Sequence, residues 1–200
     1  EGDDAETDQG RSHVLSQGRL SDPIELLPGN RVRFRAPSVR IDLGGIAKGY
    51  AVDRALAALR HFGVKGGMVN AGGDLAAFGS ERQTVQVRDP RAPQRLICGI
   101  AVGDEALASS ARRFDPFESA ATSATAIIDP ASGQPTEQLH GATVRAPSCM
   151  IADALTKIVM IRGTDAGDVL QRYDAGALLI AGDGDIQITP NLHQAVHLAA

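Results

Sequence analysis

Asp42, Gly44, Gly45 and Lys48 lie close together in the run Ile41-Asp42-Leu43-Gly44-Gly45-Ile46-Ala47-Lys48-Gly49-Tyr50-Ala51-Val52-Asp53. An acid closes a short apolar stretch, two glycines expose bare backbone, and a lysine opens a helical pattern. Backbone without side chains, a helix N-terminus and one cation in the same place favour a phosphate. The run is neither of the two common phosphate loops, since GxGxxG is missing and Gly-Lys is not followed by Ser or Thr. A plain strand-to-helix connection is the more ordinary use of such a turn, so its meaning rests on what accompanies it.

Two more turns of similar character follow: Asn70-Ala71-Gly72-Gly73-Asp74, and Ile127-Ile128-Asp129-Pro130 with Gly133. A fourth element runs Ser148-Cys149-Met150-Ile151-Ala152-Asp153-Ala154-Leu155-Thr156-Lys157, where Asp153 sits in an otherwise apolar helical pattern. Burying such an acid is costly unless a cation or hydrogen-bond donors meet it. Two readings stay open. Asp153 pairs locally with Lys157 at i+4, or it is a ligand for a hard divalent cation, which prefers oxygen donors.

The elements that must position these groups can be read from periodicity. Alternation predicts a half-buried strand over residues 31–35 and a second short strand over 39–43 leading into the glycine turn. Residues 46–61 read as a helix, with Ile46, Tyr50, Val52, Leu56 and Leu59 toward one side and Gly63 as its stop. Residues 66–74 read as one short buried strand framed by glycine pairs, and 84–88 and 96–102 as further strands. Residues 112–122 read as an exposed loop, and 126–129 as a strand entering the Asp129 turn. A strand over 141–146 precedes a helix over 149–161 capped by Ser148. A second helix over 166–173 then leads to a hairpin of 177–181 and 186–189 turning at Asp183-Gly184. Short turns between strands imply mainly antiparallel pairing, hence an α+β fold of one domain with packed helices.

Composition narrows the function classes. The 200 residues are 43% apolar with a formal net charge of −4, which argues against non-specific nucleic-acid binding. No run of eighteen apolar residues is present, so no span of a membrane is expected. Aromatics are 4%, leaving little for a stacking platform. Cys98 and Cys149 lack CxxC spacing and read as buried thiols, although a disulfide between them is possible. Residues 1–22 are polar and read as a poorly ordered lead-in from a longer protein, ahead of one domain over 23–200.

In their order and spacing, DLGGIAKGYAVD, NAGGD, IIDPASGQP and the ADAL helix resemble the ApbE family of FAD:protein FMN transferases. The likeness runs from about Arg31 to Thr189 and corresponds to the later part of the family's length. It implies an ApbE-like, T-fold-like arrangement that binds FAD with Mg²⁺ and transfers the FMN half to a Ser or Thr hydroxyl of a partner protein, releasing AMP. By resemblance, Asp42, Gly44, Gly45, Lys48, Gly72, Gly73, Asp74 and Ile127 meet the FAD. The carbonyl of Gly45, Asp153 and Thr156 would hold the metal, and Lys48 and Asp153 would contribute most to catalysis. Relatives mostly act outside the cytoplasm, often lipid-anchored, which implies a periplasmic or anchored protein, with a cytoplasmic one as the alternative.

Two positions depart from the pattern. Many relatives carry His just before the IIDP turn, where this chain has Ala126; His140 is the histidine nearby in sequence that could substitute, or a solvent-facing residue at a strand end. The hydroxyl expected four residues after the helix acid is Lys157 here, with Thr156 one place early and rotated by about 100°. The ammonium of Lys157 either swings away or takes over part of the metal's role. Beside transfer, the same groups suit a flavin-binding module without activity, or hydrolysis of FAD to FMN and AMP.

Overall fold

The computed structural model describes residues 23–112 and 127–198. They gather into two compact units: residues 23–42 with 129–134, and residues 43–128 with 135 onward.

In the first unit, β1 (Ile24–Leu27) and β2 (Arg31–Phe34) form an antiparallel hairpin. β2 is exposed along its whole length, so the half-buried strand expected over 31–35 is corrected: its alternation has no core to face. Residues 39–43 form no ladder among the described residues, which corrects the strand expected there. In the 129–134 turn, Asp129 Oδ1 accepts from Ala131 N–H at 2.9 Å and Oδ2 from the Ser132 hydroxyl at 3.0 Å. The acid of the IIDP motif is therefore engaged in building its own turn.

The second unit has three layers. A six-stranded antiparallel sheet has the order β10-β9-β8-β7-β4-β3. Its strands are β3 (Gly67–Ala71), β4 (Asp74–Phe78), β7 (Ala106–Ala111), β8 (Leu139–Ala146), β9 (Gly176–Ala181) and β10 (Ile186–Ile188). A three-stranded sheet places β6 (Ala92–Val102) between β5 (Gln83–Asp89) and β11 (Val196–Leu198). Helices α1 (Ala47–His61) and α2 (Cys149–Arg162) complete the layers, with a 3₁₀ turn over Gly163–Ala166 and the short helices α3 (Gly167–Arg172) and α4 (Pro190–His193).

The large sheet is buried on both faces, so alternate residues of one strand enter different cores. In β9, Ala177 and Leu179 pack with Leu155, Val159 and Met160 of α2, while Leu178 and Ile180 pack with Cys98, Ile100 and Val102 of β6. In β4, Ala76 and Phe78 meet Val52 and Leu56 of α1, and Leu75 and Ala77 turn to the β6 side. Each large aliphatic side chain buried this way contributes about 1.5–3 kcal/mol.

The sequence expectations meet this frame unevenly. The 66–74 segment is not one buried strand. Gly72 and Gly73 both take positive φ (67° and 100°), which reverses the chain and makes Asp74 the first residue of β4. β3 becomes the exposed edge and β4 the buried neighbour. β7 went unread because its Ala and Ser residues have little strand propensity. The 166–173 helix begins as a 3₁₀ turn and becomes α-helical only at Gly167. Residues 126–129 reduce to a single bridge between Ile128 and Pro135, with Ala126 outside the described residues. The lead-in 1–22 and the 112–122 loop beyond Arg112 also lie outside them. The mixed α+β class with antiparallel pairing is as expected, as are the Ser148 cap and the turn at Gly184.

Candidate functional site

The site is built where the N-terminal turns of α1 and α2 meet. The first turn of α1 carries a cation, Lys48, and no acid. The carboxylate it needs comes from α2: Gly49 N–H donates to Asp153 Oδ2 at 3.1 Å. The favour is returned. Cys149 N–H donates to Asp53 Oδ1 at 2.8 Å and Met150 N–H to Asp53 Oδ2 at 2.9 Å. Each helix lends the other an acid at its N-terminus, where the helix dipole favours negative charge.

This crossing requires glycine at position 49. A Cβ there would lie 2.3 Å from the Cys149 carbonyl oxygen and 2.8 Å from the Cβ of Asp153. The inward stripe of α1 is therefore Gly49, Val52 and Leu56, with Leu59 half-buried. Ile46 and Tyr50, read on one side of the helix with Val52, Leu56 and Leu59, are exposed instead.

Asp153 is fully buried. Its Oδ1 is paired with Lys157 Nζ, which also donates to the Asp153 carbonyl oxygen at 3.0 Å. The stem of Lys157 lies against the glycine turn, since a Cβ at Gly45 would be 3.6 Å from Lys157 Cε. The acid of α2 and the turn after Leu43 are thus neighbours, and one lysine side chain bridges them.

Lys48 Nζ pairs with Asp74 Oδ2, and Asp74 Oδ1 accepts from Ser109 N–H at 3.3 Å. Partial burial works against the Lys48 ammonium. The hydrogen bond and charge of Asp74, then the charge of Asp153, outweigh it, so the pKa stands above the ordinary lysine value. Half of the Lys48 side chain remains exposed. Cys149, packed behind this cluster, is a buried free thiol. Burial first, then the carboxylates of Asp74, Asp53 and Asp153, push it up to about 12. At neutral pH it is a protonated thiol and no nucleophile.

The structure thus brings together Gly45, Lys48, Asp74 and Asp153. Gly72 and Gly73 set Asp74 in place through their turn, where Gly73 N–H donates to Asn70 Oδ1 at 2.9 Å. Gly44 belongs to the turn that enters α1. Ile127 packs against the α2 core, and its carbonyl accepts from Thr136 N–H at 3.0 Å. Asp42 belongs to the other compact unit. His140 directs its ring Nε2 to the Gly182 carbonyl at 2.9 Å, at the β9–β10 turn. Thr156, buried, donates to the Asp153 carbonyl at 2.7 Å and meets Ser110 Oγ at 2.7 Å.

Whether these groups suit Mg²⁺ follows from their engagements. Each oxygen of Asp153 already accepts a hydrogen bond, one of them from an ammonium, and the Thr156 hydroxyl is bonded on two sides. Among the described residues no group of three His, Cys, Asp or Glu side chains converges to hold a metal. Mg²⁺ needs only one or two carboxylates beside water and substrate phosphates, so what makes this donor set a poor one is the ammonium already seated on Asp153.

Sequence reasoning passed over Gly49, Asp53, Ser109 and Ser110. A signal existed for the first two: a glycine inside a helix costs about 1 kcal/mol against alanine and calls for a packing reason, and Asp53 is an acid in an alanine-rich helix. A cleft of about 380 Å³ lies along α1, lined by Tyr50, Asp53, Arg60, Asp104 and Glu105 among others. Three carboxylates against one guanidinium make it a poor host for a diphosphate.

The sequence matches the family model described as the ApbE family over residues 3–179. The chain belongs to the ApbE family. This ApbE chain is 33% identical over 147 residues to an FAD:protein FMN transferase of Vibrio cholerae, covering 70% of this chain and 44% of the relative. It is 30% identical over 159 residues to that of Klebsiella pneumoniae, covering 78% and 50%. The solved ApbE protein of Thermotoga maritima superposes with a TM-score of 0.79 at 28% identity, covering 94% of this chain and 63% of that one. Flavin transferase ApbE from Vibrio cholerae gives 0.76 at 25% identity, covering 98% and 64%. The ApbE chain described here spans about half the length of the curated relatives it matches.

Proposed function

We propose that this protein works as an FAD:protein FMN transferase. A Ser or Thr hydroxyl oxygen of a flavin-acceptor protein attacks the phosphorus of the FMN half of FAD. The bond from that phosphorus to the oxygen of the AMP half breaks, AMP leaves with that oxygen, and the hydroxyl proton passes to solvent. A phosphoester between FMN and the acceptor remains. The observation that carries this reading is the convergence of Gly45, Lys48, Asp74 and Asp153 in a chain of this family.

Each group supports a part of the step. Lys48 is held protonated and half-exposed, which suits it to meet the phosphoryl oxygens of a diphosphate. Gly45 offers backbone without a side chain, so a ligand can come close. Asp74 and Asp153 orient the lysines, and the helix pair that presents them is locked by exchanged caps. Asp42, Gly44, Gly72, Gly73 and Ile127 enter as FAD contacts by resemblance to the family. By the same resemblance we place the protein outside the cytoplasm, periplasmic or anchored. No helix among the described residues is long and apolar enough to cross a membrane.

The nucleophile would come from the acceptor, so no serine-histidine-acid arrangement is needed here. The test is incubation of the intact protein with FAD and acceptor peptides, read by mass spectrometry. A gain equal to the FMN moiety on Ser or Thr, with AMP released in equal amount, is expected. AMP and FMN without acceptor labelling would show hydrolysis instead. One observation favours a module that binds flavin without transfer, the closure of Lys157 on Asp153, and FAD binding with no product of either kind would select it.

A further inference from the structure

We infer that the ammonium of Lys157 is the resident cation at the Asp153 carboxylate, so that the diphosphate of FAD is received by Lys48 and Lys157 without a divalent ion. This rests on the flavin reading above.

Three observations carry it. First, Lys157 is placed between the two groups that would flank a metal. Its Nζ pairs with Asp153 Oδ1 and donates to the same residue's carbonyl, and its stem runs along Gly45. A divalent ion at that carboxylate would have to displace the ammonium or stand beside it. Two cations at contact distance repel by several kcal/mol in a partly buried setting.

Second, the neighbouring oxygens already carry hydrogen bonds of their own. Asp153 Oδ2 accepts from Gly49 N–H, where α1 and α2 cross most closely. Thr156 Oγ1 faces the Asp153 carbonyl and Ser110. Among the described residues no group of three His, Cys, Asp or Glu side chains gathers there, so a divalent ion would depend on the one carboxylate that already holds the ammonium.

Third, the charges balance and stay within reach. Lys48 with Asp74 and Lys157 with Asp153 form two neutral pairs, and Asp153 acts on Lys48 as well, so they are one electrostatic cluster. The Lys157 side chain is 23% exposed and that of Lys48 49%, whereas the two acids are sealed. A dianionic diphosphate arriving from solvent therefore meets two ammonium groups rather than carboxylates.

The test measures FAD affinity by flavin fluorescence in the intact protein, once with excess EDTA and once with millimolar MgCl₂. The wild type is expected to bind equally within about twofold in both. Lys157→Met, which keeps the stem over Gly45, should lose roughly tenfold or more in EDTA, and Lys157→Arg should restore most of it. Mg²⁺ alone should leave the wild-type melting temperature unchanged, since a site-bound ion would raise it. A wild-type affinity that rises roughly tenfold with Mg²⁺, or a Lys157→Met protein that binds as tightly as wild type in EDTA, overturns the inference and leaves the flavin reading standing. No FAD binding under either condition removes the flavin reading and the inference with it.

Discussion

Asp153 accepts the amide hydrogen of Gly49 at 3.1 Å, from the helix opposite its own. This contact ties the acid of α2 to the start of α1 and fixes how near Lys48 stands to Asp153. The same crossing carries the return bond from Cys149 to Asp53. The candidate site is thus a property of a helix pair rather than of either motif.

Gly49→Ala should be strongly destabilising. The added methyl would fall 2.3 Å from a backbone oxygen, and backbone cannot swing aside as a side chain can. A loss of about 3 kcal/mol or more, seen as a Tm lower by roughly 6–12 °C, is expected from thermal unfolding. A wild-type Tm would show that the helices do not approach this closely.

Lys48→Met should weaken FAD binding by roughly tenfold, because the ammonium that meets the diphosphate is gone. It should also cost stability, since Asp74 is buried and, among the described residues, is left with the Ser109 amide. The cost should be about 1–2 kcal/mol, less than the 3–5 kcal/mol of a fully buried pair, because half of the lysine side chain is already in water. Denaturant titration beside FAD titration separates the two effects. Unchanged FAD affinity would remove Lys48 from the binding site.

Thr156→Val preserves shape and deletes the hydroxyl shared with Ser110 and the Asp153 carbonyl. A stability loss of about 1–2 kcal/mol with unchanged FAD affinity, in EDTA and in Mg²⁺ alike, is expected if the hydroxyl serves packing. A fall in FAD affinity confined to the Mg²⁺ condition would instead make Thr156 a metal ligand.

Asp89 sets an acid limit on stability away from the site. The hydrogen bond from the Arg91 side chain holds its carboxyl below the usual range; burial pulls the other way, and the charges of Arg91 and Arg95 add to the lowering. A folded pKa below the unfolded value of about 3.9 gives stability that is complete above that value and lost as pH falls through the folded one. Asp89→Asn should therefore lower stability at neutral pH and flatten the limb below about pH 4. Denaturant midpoints measured across pH check this, and an acid limb as steep as wild type would contradict it.

Periodicity and turn chemistry are local, and what depends on them was legible in the chain. The α1 and α2 helices, the Ser148 cap, the Gly184 hairpin and the antiparallel α+β class follow from residues a few places apart. So does the pairing of Asp153 with Lys157, one helical turn away, which was one of two open readings. Strand propensity alone could not show β7, whose alanines and serines are accommodated because α2 packs closely upon them. Nor could it show that β3 is an edge and β4 is buried, which depends on the order of strands in the sheet. The use of Gly49 and Asp53 likewise required knowing which helix crosses which, across about a hundred residues of sequence. Residue order is enough to say which charged groups exist and which helix turn each occupies, because helix geometry fixes neighbours three and four residues apart. That Lys157 stands between Asp153 and Gly45 is a matter of folding, because a contact between α2 and the turn before α1 is made by packing the two helices together.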